Sequence, residues 1–197
     1  MKEIARTGAP AWLKKFEAAT GRSVATASSQ TILAVDASGS MAKEDKIGQA
    51  RRGALAFARK GIAAGYRIGL ITFSAEVDVV VQPSKDVDEL AKRLRQLEAG
   101  GSTNMHGAIE AAARVVGRTG TRVLCLVTDG APDDPDATLE AARNAKASGI
   151  RISAVGTTDA DWNFLSRITS EAADAVFTEA KHLEKAIENL TLRLPKP

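Results

Sequence analysis

The chain has 197 residues, 44% of them hydrophobic and 26% charged, with aromatics at only 4%. That composition suits one soluble domain whose core is built from Ala, Val, Ile and Leu. A formal net charge of +3, not gathered into a basic run, excludes nucleic acid as the expected partner; no stretch approaches the ~18 apolar residues of a membrane span, and one cysteine, Cys125, excludes an internal disulfide framework.

The N-terminus, MKEIARTGAPAWLKKF, lacks the apolar centre of a signal peptide, so a cytoplasmic location is expected. Trp12, Leu13 and Phe16 recur at helical spacing between Pro10 and Gly21, which predicts a short amphipathic helix that must dock on something to be stable. GRSVATASSQ then reads as a polar connector. Residues 1–30 are therefore set apart from a domain expected over 31–194.

From Thr31 onward, strand-like and helix-like segments alternate. The apolar runs are TILAVD, RIGLITFS, VDVVVQ, TRVLCLVTDG and RISAVGT, with a weaker one at AVFTEA. Helical patterns fall at about 46–64, 87–97, 105–116, 137–148, 161–169 and 181–192. Runs apolar at every position suit strands covered on both faces, as in a parallel sheet wrapped by helices. Only a few residues around Ser74–Glu76 join the second and third runs, too few for a parallel crossover, so that pair should be an antiparallel hairpin. The predicted fold is α/β: a doubly wound, mostly parallel sheet of about six strands with one antiparallel edge.

Ligands of such sheets bind beyond the carboxyl ends of the strands. Asp36 ends the first run with Ser38 and Ser40 just beyond it, Thr128 and Asp129 close the fourth, and Thr103 follows a glycine-rich turn just before a helix. Taken singly, each has a plain explanation. A serine or threonine caps a helix, and an aspartate opens a turn. Together they are harder to dismiss, because two carboxylates at the ends of apolar runs repel unless a proton or cation sits between them. Hydroxyl and carboxylate oxygens without His or Cys suit a hard ion, Mg²⁺ or Mn²⁺, rather than zinc.

DASGS, the threonine of GGSTN and the aspartate of TDG resemble the metal-ion-dependent adhesion site (MIDAS) of the von Willebrand factor type A domain family. The resemblance covers about 31–194 and implies a Rossmann-like fold with a metal cradle. It implies that Ser38, Ser40 and Thr103 offer hydroxyls to the cation. Asp36 and Asp129 act beside them, directly or through water, on Mg²⁺ with Mn²⁺ or Ca²⁺ as alternatives. In such domains an Asp or Glu of a protein partner completes the coordination. Gly39, Met41, Asn104, His106, Gly130 and Asp133 lie beside the five and are expected to form the partner-binding rim. The implied role is a non-catalytic interaction module or small adaptor, in a family whose members often serve AAA-type ATPases and other multiprotein complexes.

Two other functions compete. A Mg²⁺-dependent phosphoryl-transfer enzyme of the haloacid-dehalogenase kind would want D-x-D-x-T, and Ser38 and Ser40 stand at the second and third of those positions. A structural or self-assembling domain would leave the cradle unused for partners. Asp133, Asp134 and Asp136 read as a solvated loop with favourable charge at a helix start, or else as a second cation site or selectivity rim. Arg51, Arg52, Arg59 and Lys60 read as the solvated face of a helix, or as a basic surface beside the metal.

Overall fold

A computed structural model describes residues 28–196. The helix predicted around Trp12, Leu13 and Phe16 lies outside the described residues. Six strands form one sheet: β1 Gln30–Asp36, β2 Arg67–Phe73, β3 Val77–Ser84, β4 Arg122–Thr128, β5 Arg151–Thr157 and β6 Ala175–Thr178. The helices are α1 Lys46–Ala63, α2 Val87–Arg95, α3 Met105–Val115, α4 Pro135–Ala147, α5 Trp162–Ile168 and α6 Leu183–Asn189. The order across the sheet is β3-β2-β1-β4-β5-β6, with β3 antiparallel to β2 and every other neighbouring pair parallel. The predicted hairpin is present, closed by the Ser74 N–H donating to the Glu76 carbonyl at 2.9 Å.

Alternation along β1 divides the core. Leu33 and Val35 point into a layer with Phe57, Tyr66, Leu90 and Ile187, while Ile32 and Ala34 join Ile109, Leu126, Ile152 and Phe164 on the other face. Because both faces are covered, β1, β4 and β5 are buried at every position after the first, as parallel strands under helices require.

Helix starts follow local chemistry. Asp86, Asn104, Asp134 and Asp161 each accept a hydrogen bond from the backbone N–H three residues on, satisfying one of the free amides of a first turn. The helix predicted over 181–192 is instead three pieces: a 3₁₀ turn Ala180–His182, α6, and a second 3₁₀ turn Leu190–Arg193. α6 lies tightly on α1, where a Cβ on Gly53 would stand 2.7 Å from the Glu184 carbonyl oxygen. Glycine is required there by close approach.

β1 is the switch point of the winding, since the chain passes from β1 to β2 on one side and later returns to β4 on the other. The carboxyl ends of β1 and β4 therefore open beside one another, where α/β sheets place ligands. Among the described residues, no helix is long and apolar enough to cross a membrane.

Candidate metal centre

Asp36 ends β1 and is 0% exposed. Its Oδ1 accepts the Ser38 backbone N–H at 2.7 Å, and its Oδ2 accepts the Thr128 hydroxyl at 2.6 Å. Both partners are neutral. Burial, the largest cause, raises the carboxyl pKa to about 6, against the lowering effect of these hydrogen bonds; the Asp129 charge adds a smaller upward push. A buried carboxylate whose bonded partners are neutral wants a proton or a cation.

After Asp36 the chain enters a 3₁₀ segment, Gly39–Asp45. The Ser38 and Ser40 hydroxyl oxygens stand 3.0 Å apart, and Ser40 donates to Asp129 Oδ1 at 2.6 Å. The other Asp129 oxygen accepts from the Lys46 ammonium at 2.9 Å, and the same ammonium reaches Asp159 Oδ2 at 2.6 Å. Burial pulls the Lys46 pKa down, but the two carboxylates outweigh it and the net shift is upward. Asp159, bonded to that ammonium, is held below the usual carboxylate range.

Thr103 reaches the crest on the loop before α3. The Gly39 N–H donates to the Gly101 carbonyl at 3.1 Å, and the Gly100 N–H to the Ala37 carbonyl at 2.7 Å, so this loop and the serine loop are laced together. Gly101 has φ +83°, a left-handed conformation that favours glycine. Asp133 grips the Thr103 backbone: both its carboxylate oxygens accept the Thr103 N–H at 3.0 Å, while its own N–H returns a bond to the Thr103 carbonyl.

The structure thus joins Asp36, Ser38, Ser40 and Asp129 by direct or shared hydrogen bonds and ties the Thr103 loop to theirs through the backbone. Asp36 and Asp129 are 0% and 2% exposed, because the helices and crest loops cover the strand ends. The expected rim divides. Gly39 and Asp133 are exposed, and Asn104, His106 and Gly130 are half-buried. Asn104 caps α3 by accepting the Gly107 N–H, and Gly130 is held to the Thr128 hydroxyl. Met41 is a correction: it is 0% exposed in the core layer containing α1, so it supports the loop from beneath and offers nothing to a partner. Asp134 caps α4. Of the basic residues on α1, Arg51 bonds the Leu97 carbonyl, Arg52 pairs with Asp45 and Glu184, and Lys60 pairs with Glu188; these ties hold α1 to its entry turn, to the segment after α2 and to α6.

Sequence reasoning missed Lys46 and Asp159. A signal for Lys46 was present: a lysine at the first position of a helix opposes the helix dipole and needs an anion nearby. Asp159 lies two residues beyond the apolar run RISAVGT, and Asp36 is the last residue of TILAVD, so both belong to strand ends.

These residues fit a divalent cation. The carboxylates of Asp36, Asp129 and Asp159 outnumber the one ammonium between them by two charges, which a divalent ion would balance. Among the described residues no three His, Cys, Asp or Glu side chains gather as a ready metal cluster. An ion held here would rest on serine and threonine hydroxyls with two carboxylates, a donor set for a hard cation.

A family model described as von Willebrand factor type A domain matches residues 32–192. Mouse Matrilin-2 is 33% identical over 141 residues, which are 64% of this chain and 14% of Matrilin-2; the chain therefore spans a small part of that relative's length. Among solved structures, the pilus adhesin SpaC from Lactobacillus rhamnosus GG superposes with TM-score 0.76 at 18% identity, over 86% of this chain and 31% of SpaC. Proximal thread matrix protein 1 from the mussel byssus, determined with zinc occupying its MIDAS motif, superposes with TM-score 0.74 at 16% identity, over 85% of this chain and 48% of that one.

Proposed function

The chain belongs to the von Willebrand factor type A domain family, and on that footing we propose that it is a non-catalytic protein-interaction module working through a divalent cation. Ser38, Ser40 and Thr103 supply hydroxyls to the cation, Asp36 and Asp129 supply charge, and the physiological ion is Mg²⁺. Bound there, the ion would offer an open coordination position to an Asp or Glu carboxylate of a partner protein. The observation that carries this is Asp36, a fully buried carboxylate held by neutral partners, the Thr128 hydroxyl and the Ser38 amide. Thr128 fixes one of its oxygens and the Ser38 amide the other, so its charge is aimed before any ion arrives. Gly39 and half-buried Ser40 form the accessible edge over which a partner would approach, and Asp133 holds Thr103 in register beside them.

A phosphoryl-transfer role would require an Asp36 oxygen free to attack; both are engaged and the residue is closed to solvent. The proposed compartment is the cytoplasm. The one thiol, Cys125, is buried, and burial pushes its pKa far upward, so it stays an inert core residue there. A multiprotein assembly, such as one built around an AAA-type ATPase, is the proposed setting.

Calorimetric titration with Mg²⁺ tests the site, and capture from extract in Mg²⁺ or EDTA, with Asp36→Asn as control, tests its use. A partner retained only in Mg²⁺ and lost with the variant is expected. One specific observation favours a second function, a structural or self-assembling domain: the Lys46–Asp129 ion pair already gives the crest an internal cation. That alternative predicts no Mg²⁺ heat, and an oligomer that EDTA leaves intact.

A further inference from the structure

Lys46 is the first residue of α1, where the helix dipole disfavours a cation. Its side chain is nevertheless only 2% exposed and is bonded to two carboxylates of opposite situation: Asp129, with a 0% exposed side chain, and Asp159, with a 61% exposed one. The chain enters α1 through two consecutive left-handed residues that are not glycine, Glu44 (φ 53°) and Asp45 (φ 55°). Such conformations cost energy and persist where the surroundings impose them. A solvated surface lysine would impose nothing. Here the turn delivers an ammonium to the interior edge of the metal centre.

We propose that Lys46 is a tethered rival of the divalent cation. Its charge holds Asp129, so loading the site requires the ammonium to yield that carboxylate and lean on Asp159. The inference rests on the divalent-cation function proposed above and adds its regulation. Lys46 sets the threshold for loading, and it couples loading to the β5–α5 loop that carries Asp159. Trp162 lies three residues further on, 53% exposed, its ring centroid 4.3 Å from that of Phe177, and is placed to report on that loop.

The test is Mg²⁺ titration by calorimetry of the full chain and of Lys46→Met and Asp159→Asn, with Trp162 emission followed in a Trp12→Phe background. Removing the competing charge should tighten Mg²⁺ binding by about tenfold or more. Asp159→Asn removes the ammonium's alternative partner and should weaken binding by roughly threefold. Trp162 emission should change on loading in the parent and stay constant in Lys46→Met. Weaker or equal Mg²⁺ binding by Lys46→Met, or parental binding by Asp159→Asn, overturns the role of Lys46 while leaving the metal site standing. Heat from none of the proteins overturns both. If Lys46→Met does not fold, Asp159→Asn, an exposed isosteric change, decides alone.

Discussion

Asp36→Asn should make the protein more stable while destroying the proposed metal site. The carboxyl pKa is raised from 3.8 to about 6 by burial, so the folded state prefers the protonated group. The stability associated with that proton is fully present below about pH 4 and is lost as pH rises through about 6. Two pKa units correspond to roughly 3 kcal/mol, which is the strain that ionised Asp36 imposes at pH 7.5 without a divalent ion. An asparagine keeps an oxygen for the Ser38 amide, and its NH₂ can donate to the Thr128 oxygen. It should therefore recover most of that energy, a gain of roughly 6–12 °C in Tm for a domain of this size. The assay is urea unfolding of parent and variant in EDTA at several pH values between 4 and 8. The gap in unfolding free energy should be close to zero near pH 4 and open through pH 6 in favour of the variant. Saturating Mg²⁺ should then stabilise the parent alone, since a ligand stabilises only the protein that binds it. A pH-independent gap, or a variant less stable than the parent at pH 7.5, would refute the claim that burial strains Asp36.

Asp129→Ala should act with the opposite sign. It leaves the Lys46 ammonium buried with only exposed Asp159, at a cost of about 3 kcal/mol, and unfolding of the Asp129→Ala, Lys46→Met double variant should recover part of that loss. Asp133→Ala removes the clamp on Thr103 from an exposed position, so Mg²⁺ affinity should fall about tenfold while the melting temperature moves little; calorimetry and thermal melting separate the two effects. Glu44→Gly relieves a left-handed conformation on an exposed residue and should raise stability by about 0.5–1 kcal/mol in urea unfolding. Mg²⁺ affinity should rise from pH 5 to 7 as the proton leaves Asp36 and then level off; an affinity flat across that window would remove Asp36 from the site.

Much of this molecule is written locally. All six strands and the helical segments of the described domain are legible from apolar periodicity, because a strand buried on both faces and a helix buried on one leave different repeats in a short window. The antiparallel hairpin follows from the shortness of the link at Ser74–Glu76, and the favourable charge read at the helix start near Asp134 is a cap that acts three residues on. The placement of Asp36 and Asp129 was legible for a related reason: the end of an apolar strand is a local feature, and a carboxylate there is conspicuous. The division of the last helix into 3₁₀ and α segments, the inward turn of Met41 and the burial of both aspartates were not legible, since each depends on what the neighbouring elements cover. Lys46 shows the difference most clearly. Its helix dipole conflict is visible in sequence, but its partners lie 83 and 113 residues away. Only the winding of the sheet, which sets the ends of β4 and β5 beside the start of α1, decides that those two carboxylates receive the charge.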